Sequence, residues 1–194
     1  MKIVNKIIAV TMFLASSCVY SLTINGNDAV DINGYEANIY AYDQSTLTAN
    51  SASDIAWLYA YDESTINING GETSWLYGYD NSTININAGD IGWLKLYGES
   101  ETNISYLNDL SWLLVNDDAI VNIYGTGFSY SNGHLSGSWA NGSLFSFLAL
   151  EESDIYSARG NILPDNIVLH SVPEPSSFAL LILGLGLLIR NRKI

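Results

Sequence analysis

The sequence predicts an all-β protein built as a short-coil β-solenoid. Three observations carry this: a repeat of paired apolar positions, turn residues at fixed places within it, and no helical periodicity in the body. Each repeat holds two apolar pairs, the second beginning eight residues after the first. Within a pair the apolar residues lie two apart, the period of a strand that buries one face. The six copies are Leu22/Ile24 with Val30/Ile32, Ile39/Ala41 with Leu47/Ala49, Leu58/Ala60 with Ile66/Ile68, Leu76/Gly78 with Ile84/Ile86, Leu94/Leu96 with Thr102/Ile104, and Leu113/Val115 with Val121/Ile123. Successive copies are offset by 17, 19, 18, 18 and 19 residues, and both pairs shift together. A two-strand unit this short cannot bury a core alone, so its copies must stack. An antiparallel β-meander is the alternative, because eight-residue spacing also suits hairpins.

Turn-forming residues punctuate the copies. Asp62-Glu63-Ser64 and Asp80-Asn81-Ser82 separate the two strands of a copy, and Gly70-Gly71 and Ala88-Gly89-Asp90 separate one copy from the next. With the apolar pairs inward, alternate residues point outward. On the first strands these are Trp57, Tyr59 and Tyr61, then Trp75, Tyr77 and Tyr79, then Trp93, Lys95 and Tyr97, then Trp112, Leu114 and Asn116. On the second strands they are Thr65, Asn67 and Asn69, then Thr83, Asn85 and Asn87. One face is therefore an aromatic plate and the other a solvated Asn ladder; a slip of one residue would exchange inside and outside.

Beyond the repeat, Gly125 to Gly127 interrupts the pattern. Residues 135–150 read as a hairpin turning at Asn141-Gly142, and a last strand is expected over 166–170. This segment is expected to close the open end of the solenoid, which would otherwise be an exposed strand edge. Trp139, Phe145 and Phe147 are candidates to cover part of the aromatic plate.

Both termini read as targeting segments. Lys2 and Lys6 precede a short apolar run over residues 7–14, and small residues follow, as in a secretory signal peptide. Two cleavage points fit, after Ser17 or after Ser21, and the first leaves Cys18, the only cysteine, at the new terminus. No intramolecular disulfide is possible. At the other end Val172-Pro173-Glu174-Pro175 leads into twelve mostly apolar residues, 178–189, and then Arg190, Arg192 and Lys193. As a helix those twelve would rise about 18 Å, against a hydrocarbon core of about 30 Å, which suits a transient hold in the membrane. The positive stop should stay cytoplasmic.

This tail resembles the PEP-CTERM sorting domain, and the resemblance covers only its last twenty or so residues. It implies recognition by a membrane-embedded exosortase, cleavage near the Pro-Glu-Pro, and a Gram-negative bacterium that makes exopolysaccharide, biofilm or floc. The chain then divides into a signal peptide (1–21), a β-repeat domain (22–124), a C-terminal β cap (125–171) and the sorting tail with its hydrophobic helix (172–194). Export through the Sec machinery, a transient stay in the inner membrane, and a final place on the envelope surface or in the extracellular matrix follow as expectations.

Charge and chemistry narrow the role. Between residues 22 and 172 two cations, Lys95 and Arg159, face nineteen carboxylates, a formal charge of −17. Such a surface repels nucleic acid, which is not an expected partner. His134 and His170 lack the spacing of a metal pair or a catalytic relay, and no phosphate-binding loop is present. Most acids fall at repeat turns, where Asp bonds its own backbone. Stacking of Asp43, Asp62, Asp80 and Asp117 along one edge raises calcium as a turn ligand, although the glycine-aspartate nonapeptide of calcium-binding repeats is missing. The expected role is a non-catalytic surface or matrix protein without metal or cofactor. The alternative is a carbohydrate-binding module in which Trp57, Tyr59, Tyr61, Trp75, Tyr77, Tyr79, Trp93 and Tyr97 stack on exopolysaccharide.

Overall fold

A computed structural model describes residues 21–155 and 161–172. The body of the signal peptide, with Cys18, and the hydrophobic helix expected near the C-terminus lie outside the described residues.

The first strands of the six copies are β1 (Ser21–Ile24), β3 (Tyr35–Ala41), β5 (Asp54–Ala60), the second half of β6 (Thr65–Gly78), the second half of β7 (Thr83–Leu96) and β9 (Asp109–Val115). The second strands are β2 (Ala29–Ile32), β4 (Thr46–Ala49), the first halves of β6 and β7, β8 (Glu101–Ile104) and the start of β10 (Ile120–Ser131). Each strand pairs in parallel with its counterpart one coil away, which excludes the meander. The registers follow the sequence offsets: Leu22 lies opposite Ile39, Ile39 opposite Leu58, Leu58 opposite Leu76, Leu76 opposite Leu94, and Leu94 opposite Leu113. The fold is a β-solenoid of two facing parallel sheets, and five coil-to-coil steps of strand spacing give it a length of about 24 Å.

The core runs down the middle as columns of like residues. Leu58, Leu76, Leu94 and Leu113 form one, and Ile66, Ile84, Thr102 and Val121 another, all fully buried. Burial of each aliphatic side chain contributes ~1.5–3 kcal/mol, so a column several rungs long supplies the cohesion that one coil lacks. Gly78 occupies an inward position of the first sheet, where an added Cβ would stand 2.9 Å from Leu96 Cδ2.

The bend within each coil repeats one backbone feature. Gly26, Asp43, Asp62, Asp80, Gly98 and Asp117 occupy equivalent places, all with φ between 53° and 66°. Asp tolerates this left-handed conformation better than most side chains, and here the carboxylate has a second task. Asp43 Oδ2 accepts the Gly26 N–H at 2.9 Å, Asp62 Oδ2 accepts the Asp43 N–H at 3.0 Å, Asp80 Oδ2 accepts the Asp62 N–H at 3.2 Å, and Asp117 Oδ2 accepts the Gly98 N–H at 3.0 Å. Each acid ties its turn to the turn before it.

The C-terminal segment continues both sheets before closing them. β10 runs on through Gly127 with a bulge between Thr126 and Ser129, so the expected interruption is an irregularity within one strand. It then turns at Asn132-Gly133, both with positive φ, into antiparallel β11 (His134–Ser138). β12 (Leu144–Leu150) pairs antiparallel with β11 and, over its last residues, parallel with β9. β13 (Ile167–Ser171) adds a parallel strand to β10. Trp139, Phe145 and Phe147 do not lie on the plate. They pack against the end of the solenoid core, with Trp139 and Phe147 buried, because the hairpin folds over the open end of the two sheets.

Candidate functional site

The outward positions of the first sheet align in three columns, because parallel in-register pairing places each outward side chain against its counterpart one coil away. Trp57, Trp75, Trp93 and Trp112 form the first, with centroid spacings of 5.0, 4.9 and 4.7 Å. Tyr40, Tyr59 and Tyr77 form the second, both steps 4.9 Å. Tyr42, Tyr61, Tyr79 and Tyr97 form the third, with steps of 5.0, 4.9 and 5.1 Å. Neighbouring rings lie within 13° of parallel throughout these columns. All eight candidate sugar-binding residues share this face, pointing outward as the alternation requires and half-buried.

The rings do not form a flat plate. A six-membered ring with its hydrogens is wider than one strand spacing, so rings repeated at that interval cannot lie down on the sheet. They stand up and stack, each covering its neighbour, which adds about 0.5–1.5 kcal/mol per pair beyond burial. An interior ring therefore presents an edge and, for Tyr, a hydroxyl to solvent. Residue spacing reveals which side chains share a face, but ring tilt is set by the coil-to-coil distance.

Burial and mutual repulsion shape the phenols. Burial, followed by the neighbouring phenolates Tyr79 and Tyr42, pushes Tyr61 up to about 12. Burial, then Tyr59, does the same to Tyr77, also to about 12. Tyr97 lies higher still, from burial and from its hydrogen bond to Glu152.

Closure at the C-terminal end brings residues the sequence did not single out, Leu148, Leu150 and Glu152, onto the outward Leu114 and Lys95. Leu148 sits opposite Trp112, and Leu114, Leu148 and Leu150 form a buried cluster packed on Trp93, Trp112 and Ile155. Lys95 interrupts the second Tyr column. Its ammonium lies 5.6 Å from the Trp93 ring centroid and 3.1 Å from Glu152 Oε1. The Tyr97 hydroxyl and Lys95 together hold the Glu152 carboxyl below its ordinary range.

The second sheet carries a one-way amide ladder. Asn122 Nδ2 donates to Asn103 Oδ1, Asn103 to Asn85, and Asn85 to Asn67, at 3.0–3.2 Å. His170 joins at 2.9 Å from Asn122 Oδ1, so this histidine terminates a structural ladder. Among the described residues no three His, Cys, Asp or Glu are grouped so as to hold a metal ion. The turn carboxylates accept backbone N–H groups instead.

Fold and site define a parallel β-solenoid with an outward ring ladder on one sheet and an amide ladder on the other. The chain matches the PEP-CTERM protein-sorting motif over residues 171–193. That motif implies exosortase-dependent sorting to the cell envelope. No curated protein and no solved structure matches the chain. Val172 donates its N–H to the Gly125 carbonyl at 3.0 Å, so the start of the matched motif is hydrogen-bonded to β10. Pro173, Glu174 and Pro175, and the basic Arg190, Arg192 and Lys193, lie outside the described residues.

Proposed function

We propose that this chain is a non-catalytic surface or extracellular-matrix protein, a rigid β-solenoid delivered by an exosortase. The observation that carries the reading is the junction itself: β13 ends at Ser171 and the sorting motif spans 171–193, with no linker domain between them. A compact rod attached directly to a sorting signal is suited to be displayed as it stands. Export through Sec, transient insertion of the tail in the inner membrane, and cleavage near Pro173–Pro175 complete the route. On the surface a formal charge of −17 keeps neighbouring copies apart in solution.

The test compares the matrix of cells with and without the chain, and incubates the purified mature protein with that polysaccharide. The reading expects a weaker matrix in the deletion and polysaccharide recovered at unchanged length. Shortened polysaccharide would make the protein a glycanase and end the reading.

A second reading is favoured by the outward Trp/Tyr array, in which the chain binds exopolysaccharide. Ring edges and rows of phenol hydroxyls are what the interior of the ladder offers a sugar. Exposed contiguous aromatic surface commonly marks a contact site.

A further inference from the structure

Stacking uses both faces of every interior ring, so only the ends of the columns can offer a ring face. The C-terminal end is closed by the segment of and after β12: Leu148 lies opposite Trp112, and Glu152 bonds Lys95, Tyr97 and Asn116 across the ends of the Tyr columns. The N-terminal end differs. Trp57 lies opposite Asn38, and Tyr40 opposite Thr23. Among the described residues no ring stacks on the N-terminal side of Trp57, Tyr40 or Tyr42.

The Trp column therefore stops one coil earlier than the two Tyr columns. Asn38, half-buried and shorter than an indole, occupies the place of the next Trp, so the column ends in a step (the notch) at Trp57, while Tyr40 stands two residues along the same strand. At this place the indole of Trp57, the amide of Asn38 and the phenol of Tyr40 stand on neighbouring outward positions. The surrounding negative field disfavours anionic ligands, and the polar rim disfavours a purely apolar one. A neutral pyranose ring, with a flat C–H face and a hydroxyl rim, matches this chemistry.

We propose that Trp57 and Asn38 form a saccharide subsite, in which one neutral pyranose ring stacks on the open face of Trp57 as the missing rung of the Trp column. The Asn38 amide and the Tyr40 hydroxyl hydrogen-bond the sugar hydroxyls. This rests on the polysaccharide-binding reading and narrows it to the end of the ladder.

The test uses the exported mature protein and named probes: β-1,4-linked glucose, mannose and N-acetylglucosamine hexamers, followed by tryptophan fluorescence and by saturation transfer to the sugar protons. Asn38→Trp is the informative variant, because it supplies the missing ring, fills the notch, and leaves every core residue in place. Expected are binding of at least one hexamer by the wild-type chain, binding about tenfold weaker or absent in N38W, and an unchanged or higher melting temperature. Trp57→Ala should lose binding as well. Wild-type binding that N38W retains would overturn the subsite while leaving polysaccharide binding intact. No binding of any probe by the wild-type chain would overturn both. Wild-type self-association through this end, abolished in N38W without any saccharide effect, would assign the notch to a second copy and also overturn the subsite.

Discussion

The Tyr97 hydroxyl donates a 2.7 Å hydrogen bond to Glu152 Oε2, fifty-five residues away in sequence. With Lys95 on Oε1 and the Glu152 N–H donating to Asn116 Oδ1, this contact pins the segment after β12 onto the end of the ring ladder. The carboxyl is partly exposed, so the contribution is on the order of 1 kcal/mol rather than that of a buried pair. Glu152→Gln should lower stability by about that amount near neutral pH. Because the folded state depresses this acid, its stabilisation is present above the ordinary carboxylate range and is lost as pH falls through the folded value. Thermal melts of both proteins should converge in acid; a gap that persists or widens there would rule out the ionised contact.

Alkaline titration tests the packing of the phenols. Tyr61 and Tyr77 are held up to about 12 in the folded chain, so their neutral forms contribute stability that is complete below the ordinary phenol value of 10. That stability drains as pH rises from 10 through 12. Phenolate absorbance should show a late class of tyrosines ionising together with unfolding. A single transition at the value of free tyrosine would mean the columns are not packed.

Thr102 is fully buried in a column of aliphatic residues and its hydroxyl finds no hydrogen-bond partner among the described residues. Its neighbours one coil away are Ile84 and Val121. Thr102→Val keeps the shape and removes the stranded hydroxyl, so it should stabilise the protein by about 1–2 kcal/mol. Ser64, Ser82 and Ser100 are buried in the same condition at a bend where Ala119 serves the last coil, so Ser82→Ala should be neutral or stabilising. Chemical denaturation reads both; a loss of stability in T102V would indicate that the hydroxyl has a partner.

The turn acids act through backbone geometry. Asp62 holds φ 55° and its carboxylate accepts the Asp43 N–H. Asp62→Ala should lose about 2 kcal/mol, from left-handed strain and the missing charge-assisted bond, whereas Asp62→Gly loses only the bond and falls by about 1 kcal/mol. Chelation should leave the melting temperature unchanged, since these carboxylates already have donors. A chelator-sensitive melt would restore calcium to the turns.

Much of the fold is legible in the chain because a stacked repeat writes its registers as sequence offsets. Leu58 and Leu76 are eighteen residues apart and lie side by side, and the alternation around them assigns Trp57 and Tyr59 outward. The Asn132-Gly133 turn was equally readable, with the dipeptide that marks Asn141-Gly142, but its strands are irregular and the bulge at Thr126 hides the pairing. What closes the ladder was not readable. Glu152 meets Lys95 and Tyr97 across more than fifty residues, and no periodicity encodes that meeting. Nor does spacing disclose that the rings stand on edge, which decides that Trp57 and not Trp75 offers a face.

Display of the solenoid outside the cell by its sorting tail is tested by the intact mass and location of the chain in cells with and without the exosortase. Expected are a mature form truncated near Pro173–Pro175 in the surface or matrix fraction of cells that have the enzyme, and a longer form retained in the inner membrane of cells that lack it. The same mass in the same fraction of both cells would contradict it.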